Sequence, residues 1–310
     1  MGPAPEPVAE APASAPAAPR FYVEHHNRGD MYLEEKEREL LARICARIAK
    51  GDLELPQLPS TSMAVIDMTS KSSAEIKDIV DLIESDPVLS SELVKTANSA
   101  LYSGTEAAET IAQAVMRLGL RNLRTLMFSL SMRSAVLRDK RLSHYAEEVW
   151  RQSYSTATIA RAIAQPIGVD ADRAFLLGLL ADIGKVSLLA MLRKEIPRGT
   201  EVSPVLVGRI FYLFHETAGE KLAQAWNLPA DIVAVAGCHH RFEENQRDPK
   251  DAALVSLALR LDILLMQDQT VEYRNAAHAP EMDYLKLSTD QRREVLDAAY
   301  AAFTQQVPAD

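Results

Sequence analysis

What most restricts the fold is a succession of helix-start signals, each followed by an apolar stripe of helical period, with no stretch of strand-type alternation among them. Ser72 with Glu75 reads as a capping box ahead of Ile76, Ile79, Val80 and Ile83. Asp86-Pro87 joins an N-cap to a proline at the first helical position and opens a helix through about Asn98, and Ser203-Pro204 repeats the device. Asp170 and Asn227 start two more helices, the second with Pro229 in its first turn. A last one follows Ser288 and Gln291 and carries Val295, Leu296, Ala299, Tyr300 and Phe303. Order is expected from about Tyr32, where Leu40, Leu41, Ile44 and Ile48 share a face, and Gly51 ends that helix before the proline-bearing connector LELPQLPS. Twelve glycines in 310 residues and 6% aromatics suit helices better than a turn-rich β fold. No repeat of fixed period is evident, and the sequence predicts an all-α protein.

Charge and composition exclude several classes. The formal charge of −9 argues against nucleic acid or an anionic membrane as the partner of the whole surface. Apolar content of 47% is ample for a core. Cys45 and Cys238 make no Cys-x-x-Cys pair and no disulfide framework, which suits a reducing compartment. No apolar run is expected to reach the ~18 residues of a membrane span. Met1 to Pro19, rich in Ala, Pro and Glu, carries no Lys or Arg and is read as an extended tail or tether, not a signal peptide. The expected location is the cytoplasm. Met63, Met68, Met116, Met127, Met132 and Met191 read as core filler.

The Gly-rich phosphate loops, the G-x-S-x-G elbow and the H-E-x-x-H zinc helix are all missing. A different set of residues remains. Asp182 lies within FLLGLLADIGKVSLLAML, Asp262 within LVSLALRLDILL, His215 within RIFYLFHETAGEKLAQAW, and His239 and His240 end LPADIVAVAGCHH. A carboxylate in a run this apolar must be paired, hydrogen-bonded or metal-bound. Carboxylates and imidazoles from four helices are one way to hold a divalent metal in a helical core. Asp182 and Lys185, three apart on one helix face, also form an ordinary structural ion pair, and each histidine also fits as a satisfied core residue.

The order LLADIGK, HETAG, CHH, LRLD resembles the HD superfamily of metal-dependent phosphohydrolases. The upstream LPQLPS, DIVDLIESDPVLSSELVKTANSALYSG and ETIAQAVMRLGLRNLRTLMFSLS are similar to one branch of it, the HD-related output domain, HDOD. The resemblance covers roughly 55–265 and implies a two-lobed helical fold: an N-terminal helical lobe over 55–141 and an HD-like lobe over 142–265. Before it come a Pro/Ala-rich tail (1–31) and a leading helix with connector (32–54), and after it a loop and helix (266–310) that either pack back on the HD-like lobe or mediate a dimer. In the active enzymes that the resemblance brings in, a histidine on a W-x-H-S helix is the first metal ligand, and here VWRQSYST puts Gln152 there. The eponymous His-Asp pair reads Ala181-Asp182. Asp182, Lys185, His215, His239, His240 and Asp262 remain, so the resemblance implies a degenerate, regulatory domain with no catalytic residues and no cofactor. If a divalent metal binds, weakly, its ligands are Asp182, His215, His239, His240 and Asp262.

One charge feature lies outside that site. Arg117, Arg121, Arg124, Arg133, Arg138, Lys140 and Arg141 face Asp139 alone between Glu109 and Glu147, a net +6 in a chain of −9. Arg117, Arg121 and Arg124, at i, i+4 and i+7, fall on one helix face, either a solvated surface or a dock for an acidic partner or a nucleotide second messenger. The expected function is thus a non-catalytic bacterial signalling module that binds signalling proteins, of two-component or cyclic-di-GMP type, or a small anion. The alternative is a phosphohydrolase or cyclic-dinucleotide phosphodiesterase with a rearranged metal site.

Overall fold

The computed structural model describes residues 33–56, 60–69, 75–98, 102, 106–136, 141–197 and 202–305. At 63, 66, 67, 88, 121, 124, 125 and 128–136 it describes the backbone path alone. The described residues form helices and turns, with no strand among them. The tail and Ser72 of the expected capping box lie outside them.

The local signals act largely as physical chemistry requires. The Asp86 carboxylate accepts from the Leu89 amide at the start of α4 (Pro87–Ala97). Asp170 accepts from Arg173 N at α7 (Ala171–Leu180), Ser203 from Leu206 N at α9 (Pro204–Ala225), and Ser288 with Gln291 completes a capping box on α14 (Thr289–Thr304). Two expectations shift. Asn227 adopts φ 51°, the left-handed conformation of a turn, and α10 begins only at Ala230 (Ala230–Cys238) after Pro229. α3 (Ile76–Glu84) buries Ile79, Val80 and Ile83, but Ile76 at its start stands 46% exposed.

Among the described residues two large hydrophobic cores form, beside a small cluster of Ala157, Phe175 and Leu179. The smaller gathers Val65, Ile79, Ile83, Leu93, Ala114 and Leu123 from α2 (Ser60–Thr69), α3, α4 and α5 (Ile111–Val136). Within α5, Gly119 takes φ 71° and ψ 160°, which interrupts the helix. The interruption corrects the arginine stripe: Arg117 lies before it and Arg121 and Arg124 after it, so the three do not share one continuous helical face. Arg117 donates to the Ala97 and Glu106 carbonyls and to Asn98 Oδ1, clamping the chain that leads out of α4. Arg141 likewise donates to the carbonyls of Ile196 and Pro197. Met116, expected in the core, is 69% exposed.

The larger core is built on α6 (Ser143–Ile167), α7, α8 (Gly184–Glu195), α9, α10 and α11 (Pro249–Met266). Its membership reaches beyond them. Leu40, Leu41, Ile44 and Ile48 of α1 (Glu35–Ala49) enter it, with Arg47 bonded to Glu195 at 2.6 Å and Trp226 Nε1 donating to the Pro56 carbonyl at 3.0 Å. So do Tyr273 of α12 (Thr270–Asn275), Met282 of α13 (Pro280–Tyr284) and Val295, Ala299 and Ala302 of α14, which packs along α6. Of the two roles open to 266–310, the structure shows the packing. Val295→Asp therefore places a charge in a fully buried site and costs about 3 kcal/mol or more, whereas Arg293→Ala on the exposed face of α14 changes stability by less than about 0.5 kcal/mol. Urea unfolding of the two variants checks this, and equal midpoints would mean that α14 is not docked.

Ala171–Glu195 departs from the expectation that no apolar run is long enough for a membrane, since an 18-residue window there has mean hydropathy 1.9. The window is 94% buried, and a turn at Ala181–Ile183 folds it into α7 and α8, so its apolar character goes into the lobe interior. That turn also corrects the reading of Asp182 and Lys185 as one helix face. The turn is tied to a close approach of α8 and α9: a β-carbon at Gly184 would lie 1.9 Å from the His215 carbonyl oxygen and 2.4 Å from Gly219 N.

Candidate functional site

The turn between α7 and α8 carries Asp182 into the centre of the larger core, where it is 3% exposed, and Lys185 follows it at 2%. Around them stand Gln152 from α6, His215 from α9, His239 from the 3-10 turn after α10 and Asp262 from α11, all buried. His240 stands at the exposed edge, and Ala181 is buried but brings no donor. Seven of the eight expected positions thus supply polar groups to one region. Arg117 does not belong to it, and the side chains of Arg121 and Arg124 lie outside the described residues.

The region divides into two halves about Asp182. In the first, the Lys185 ammonium donates to Asp182 Oδ2 at 2.6 Å and to Gln152 Oε1 at 3.1 Å. Burial raises the Asp182 carboxyl to about 7, with Glu216 and Asp262 adding to the rise. Burial also lowers Lys185 to about 7, against the favourable charge of Asp262. Because the two groups touch, an ionised pair and a neutral pair are both satisfied, and a single charge is not. Asp262 has its own partners: Ser155 Oγ donates to Oδ1 and Thr156 Oγ1 to Oδ2 at 3.1 Å. Burial nevertheless lifts it to about 7, the two hydroxyls acting in the other direction.

The second half is imidazole. His215 Nδ1 lies 2.7 Å from the Phe211 carbonyl and His239 Nδ1 3.1 Å from that of Val235. A carbonyl only accepts, so each Nδ1 carries the proton, and each Nε2 is turned inward as an acceptor when the ring is neutral. The two Nε2 atoms are 3.3 Å apart. Asp182 Oδ1 lies 3.7 Å from both and accepts no hydrogen bond among the described residues. His239 is held well below the ordinary imidazole range, first by burial and then by His240 and His215. Ring nitrogens of His215, His239 and His240 all lie within 4.8 Å of one another, a donor set suited to a borderline divalent metal. A cavity of about 440 Å³, lined in part by Phe211, His240 and Arg241, opens from this half.

Several contributors were not singled out from the sequence. Ser155 and Thr156 hold Asp262, and their signal was two hydroxyls three and four residues after Gln152 on an otherwise apolar face of α6. Glu216 accepts from the His240 amide at 3.0 Å and from Arg241 Nε at 3.2 Å, fixing the mouth of the cavity, and nothing local in the sequence marks it.

Comparison with known proteins identifies this arrangement. A family model described as the HDOD domain matches residues 55–242. The chain belongs to the HDOD family. The HDOD match ends at Phe242, before α11, so Asp262 and the docked helices α12–α14 lie beyond it. An uncharacterised protein of Treponema pallidum (strain Nichols) is 31% identical over 209 residues, 64% of this chain and 40% of the relative, so this chain spans less than half of that protein. A crystal structure from Shewanella amazonensis SB2B, provisionally named as a metal-dependent phosphohydrolase, aligns at TM-score 0.62 and 20% identity over 87% of this chain and 100% of its own. One from Marinobacter aquaeolei VT8, provisionally named as a signal transduction protein, aligns at TM-score 0.55 and 23% identity over 87% of this chain and 65% of its own. At these identities the two structures show that the HDOD fold is shared.

Proposed function

We propose that this HDOD domain is a non-catalytic, cytoplasmic signal-transduction module that acts by binding. The observation that carries the reading is the position of Lys185. Its ammonium lies between Gln152 Oε1 and Asp182 Oδ2, among the residues standing where a hydrolytic HD site would hold its metal. A resident cation there satisfies Asp182 Oδ2 and supplies no bound water to activate. The name of the Marinobacter relative agrees with a signalling role. Signalling proteins of two-component or cyclic-di-GMP type, or a nucleotide second messenger, are the partners we assign to it. For a small anion, the cavity bearing Arg241 and His240 is a better place than Arg117, which is engaged with the chain leading from α4. Arg121 and Arg124 remain our protein-docking pair, and charge reversal at both should abolish partner capture.

The test for the absence of turnover uses p-nitrophenyl phosphate, bis(p-nitrophenyl) phosphate and cyclic dinucleotides with added manganese, iron or zinc. The expected result is product formation no faster than in Asp182→Ala. Turnover in the wild-type chain that disappears in Asp182→Ala would replace this reading with the phosphohydrolase alternative.

A further inference from the structure

We infer that the smaller lobe is latched to the larger one by an aromatic seam that Tyr102 closes, and that the seam and the buried polar site bias each other through α6 and α7. The inference goes beyond the proposed function and stands independently of it. Topology is its starting point. α1 belongs to the larger core, so the smaller lobe is an insertion: the chain leaves the larger lobe after Pro56 and has returned to it at Arg141. Both crossings are fixed on the larger lobe, where Ser187 Oγ donates to the Glu54 carbonyl and Arg141 to those of Ile196 and Pro197. The two large cores share no residue, and Phe175 and Leu179 of α7 belong to neither. A body inserted in this way, with a core of its own, shifts against its host unless an interface holds it.

The seam is that interface. Tyr102, Leu118 and Leu126 from the smaller lobe surround, with Trp150, Tyr154 and Phe175 from the larger, a space of about 10 Å³, room for one water at most. The rings of Tyr102 and Tyr154 both meet Phe175 edge to face, with centroids 6.2 and 6.1 Å away. The Arg161 guanidinium lies 5.1 Å from the centre of the Tyr102 ring and 5.9 Å from that of Phe175, and Asp172 holds it at 2.8 Å. Its Nη1 is buried with no hydrogen-bond partner among the described residues, so the two ring faces are what it meets. The chain before and after Tyr102 is tied to the smaller lobe: Asn98 exchanges bonds of 2.9 and 2.7 Å with the Ala108 main chain, and Arg117 holds Ala97, Asn98 and Glu106. On the far side, α6 and α7 each bear the seam on one face and the polar site on another. Trp150 and Tyr154 line the seam, while Gln152 between them takes a bond from Lys185 at 3.1 Å. Phe175 and Leu179 line it on α7, which ends in the turn that carries Asp182. A tilt of either helix that follows the smaller lobe therefore moves Gln152 or Asp182 against Lys185, and a change in that pair acts back on the seam with the same energy.

The reporter is Trp150, left as the single tryptophan of the full-length chain by Trp226→Phe. When Tyr102→Ala is added to that parent, the emission should shift to the red and quenching by acrylamide should rise towards that of the urea-unfolded chain, with far-UV circular dichroism unchanged. Tyr102→Phe, which keeps the ring, should match the parent. Coupling is read from double-mutant cycles on urea unfolding. Tyr102→Ala with Asp182→Asn should depart from additivity by at least about threefold in the unfolding constant, and Tyr102→Ala with Arg293→Ala by less than about twofold. Unchanged Trp150 quenching in folded Tyr102→Ala, or an additive Tyr102–Asp182 cycle, would each overturn the inference. Should Tyr102→Ala fail to fold, Arg161→Gln, which takes the cation from both rings, replaces it in the same measurements with the same deciding outcomes. These readouts use no partner and no substrate, so their failure leaves the proposed function standing, and turnover by the wild-type chain leaves the seam standing.

Discussion

Gly184→Ala is expected to destabilise the HD-like lobe by about 3 kcal/mol or more, the upper end of what overpacking costs. The added carbon would stand 1.9 Å from the His215 carbonyl oxygen and 2.4 Å from Gly219 N, both of them main-chain atoms of α9. No side-chain rotation relieves that overlap, so α8 must move away from α9. Because Asp182 lies in the turn just before α8, Lys185 in its first turn and His215 on α9, the same displacement separates Asp182 from His215, which stand 3.7 Å apart. Urea unfolding should show a lower midpoint with an unchanged slope. The comparison is Gly119→Ala. There a β-carbon meets nothing within 4 Å, and only the backbone conformation (φ +71°, ψ 160°), one that side-chain-bearing residues scarcely adopt, opposes it, so a loss of about 1–3 kcal/mol is expected. Equal losses at the two positions would mean that the α8–α9 approach is not the determinant described.

Lys185→Met should cost about 3–5 kcal/mol, the usual penalty for removing one partner of a buried ion pair. The Asp182 carboxylate would keep neither the 2.6 Å contact at Oδ2 nor any other hydrogen bond among the described residues, and Gln152 Oε1 would lose its donor. The double variant Asp182→Asn, Lys185→Met should recover much of that loss, since no charge is then left buried. The sign of the pH dependence follows from linkage. The Asp182 carboxyl is already raised in the folded protein, from 3.8 to about 7, and loses its cation in this variant. The folded state therefore binds the proton more tightly than the unfolded chain, and the stability of Lys185→Met should rise as pH falls from about 7 towards 4, flattening below the unfolded value. Denaturation of single and double variants at pH 5 and 8 measures both effects. A single variant as stable as the wild type at pH 8 would show that Lys185 and Asp182 are not an obligate pair.

Much of the molecule was legible in the chain because it depends on interactions within a few residues. Asp86, Asp170, Ser203 and Ser288 cap helices in the structure as their side-chain chemistry requires, and Ile79, Val80 and Ile83 or Leu40, Leu41, Ile44 and Ile48 are buried because helical period puts them on one face. The apolar surroundings of Asp182, His215, His239 and Asp262 were likewise enough to mark them as a polar set inside the core. Where the local signals of two segments competed, tertiary packing decided. Asp182 and Lys185 read as one helix face, yet the chain turns at Ala181–Ile183, where α8 packs closely against α9. The arginine stripe reads as one face, yet Gly119 turns the backbone between Arg117 and Arg121.

By itself, the sequence determined an all-α HDOD protein and a set of buried polar residues in it, with Gln152 and Ala181 standing where the resemblance to active HD enzymes leads one to expect histidines. Only the tertiary structure decided how the survivors are shared out. Lys185 takes one oxygen of Asp182, two imidazoles face the other, and Asp262 is turned over to Ser155 and Thr156. The physical reason is range: a cap or a stripe is fixed by neighbours three or four positions away, whereas the direction of a buried lone pair is fixed by whichever donor or acceptor a distant helix brings against it.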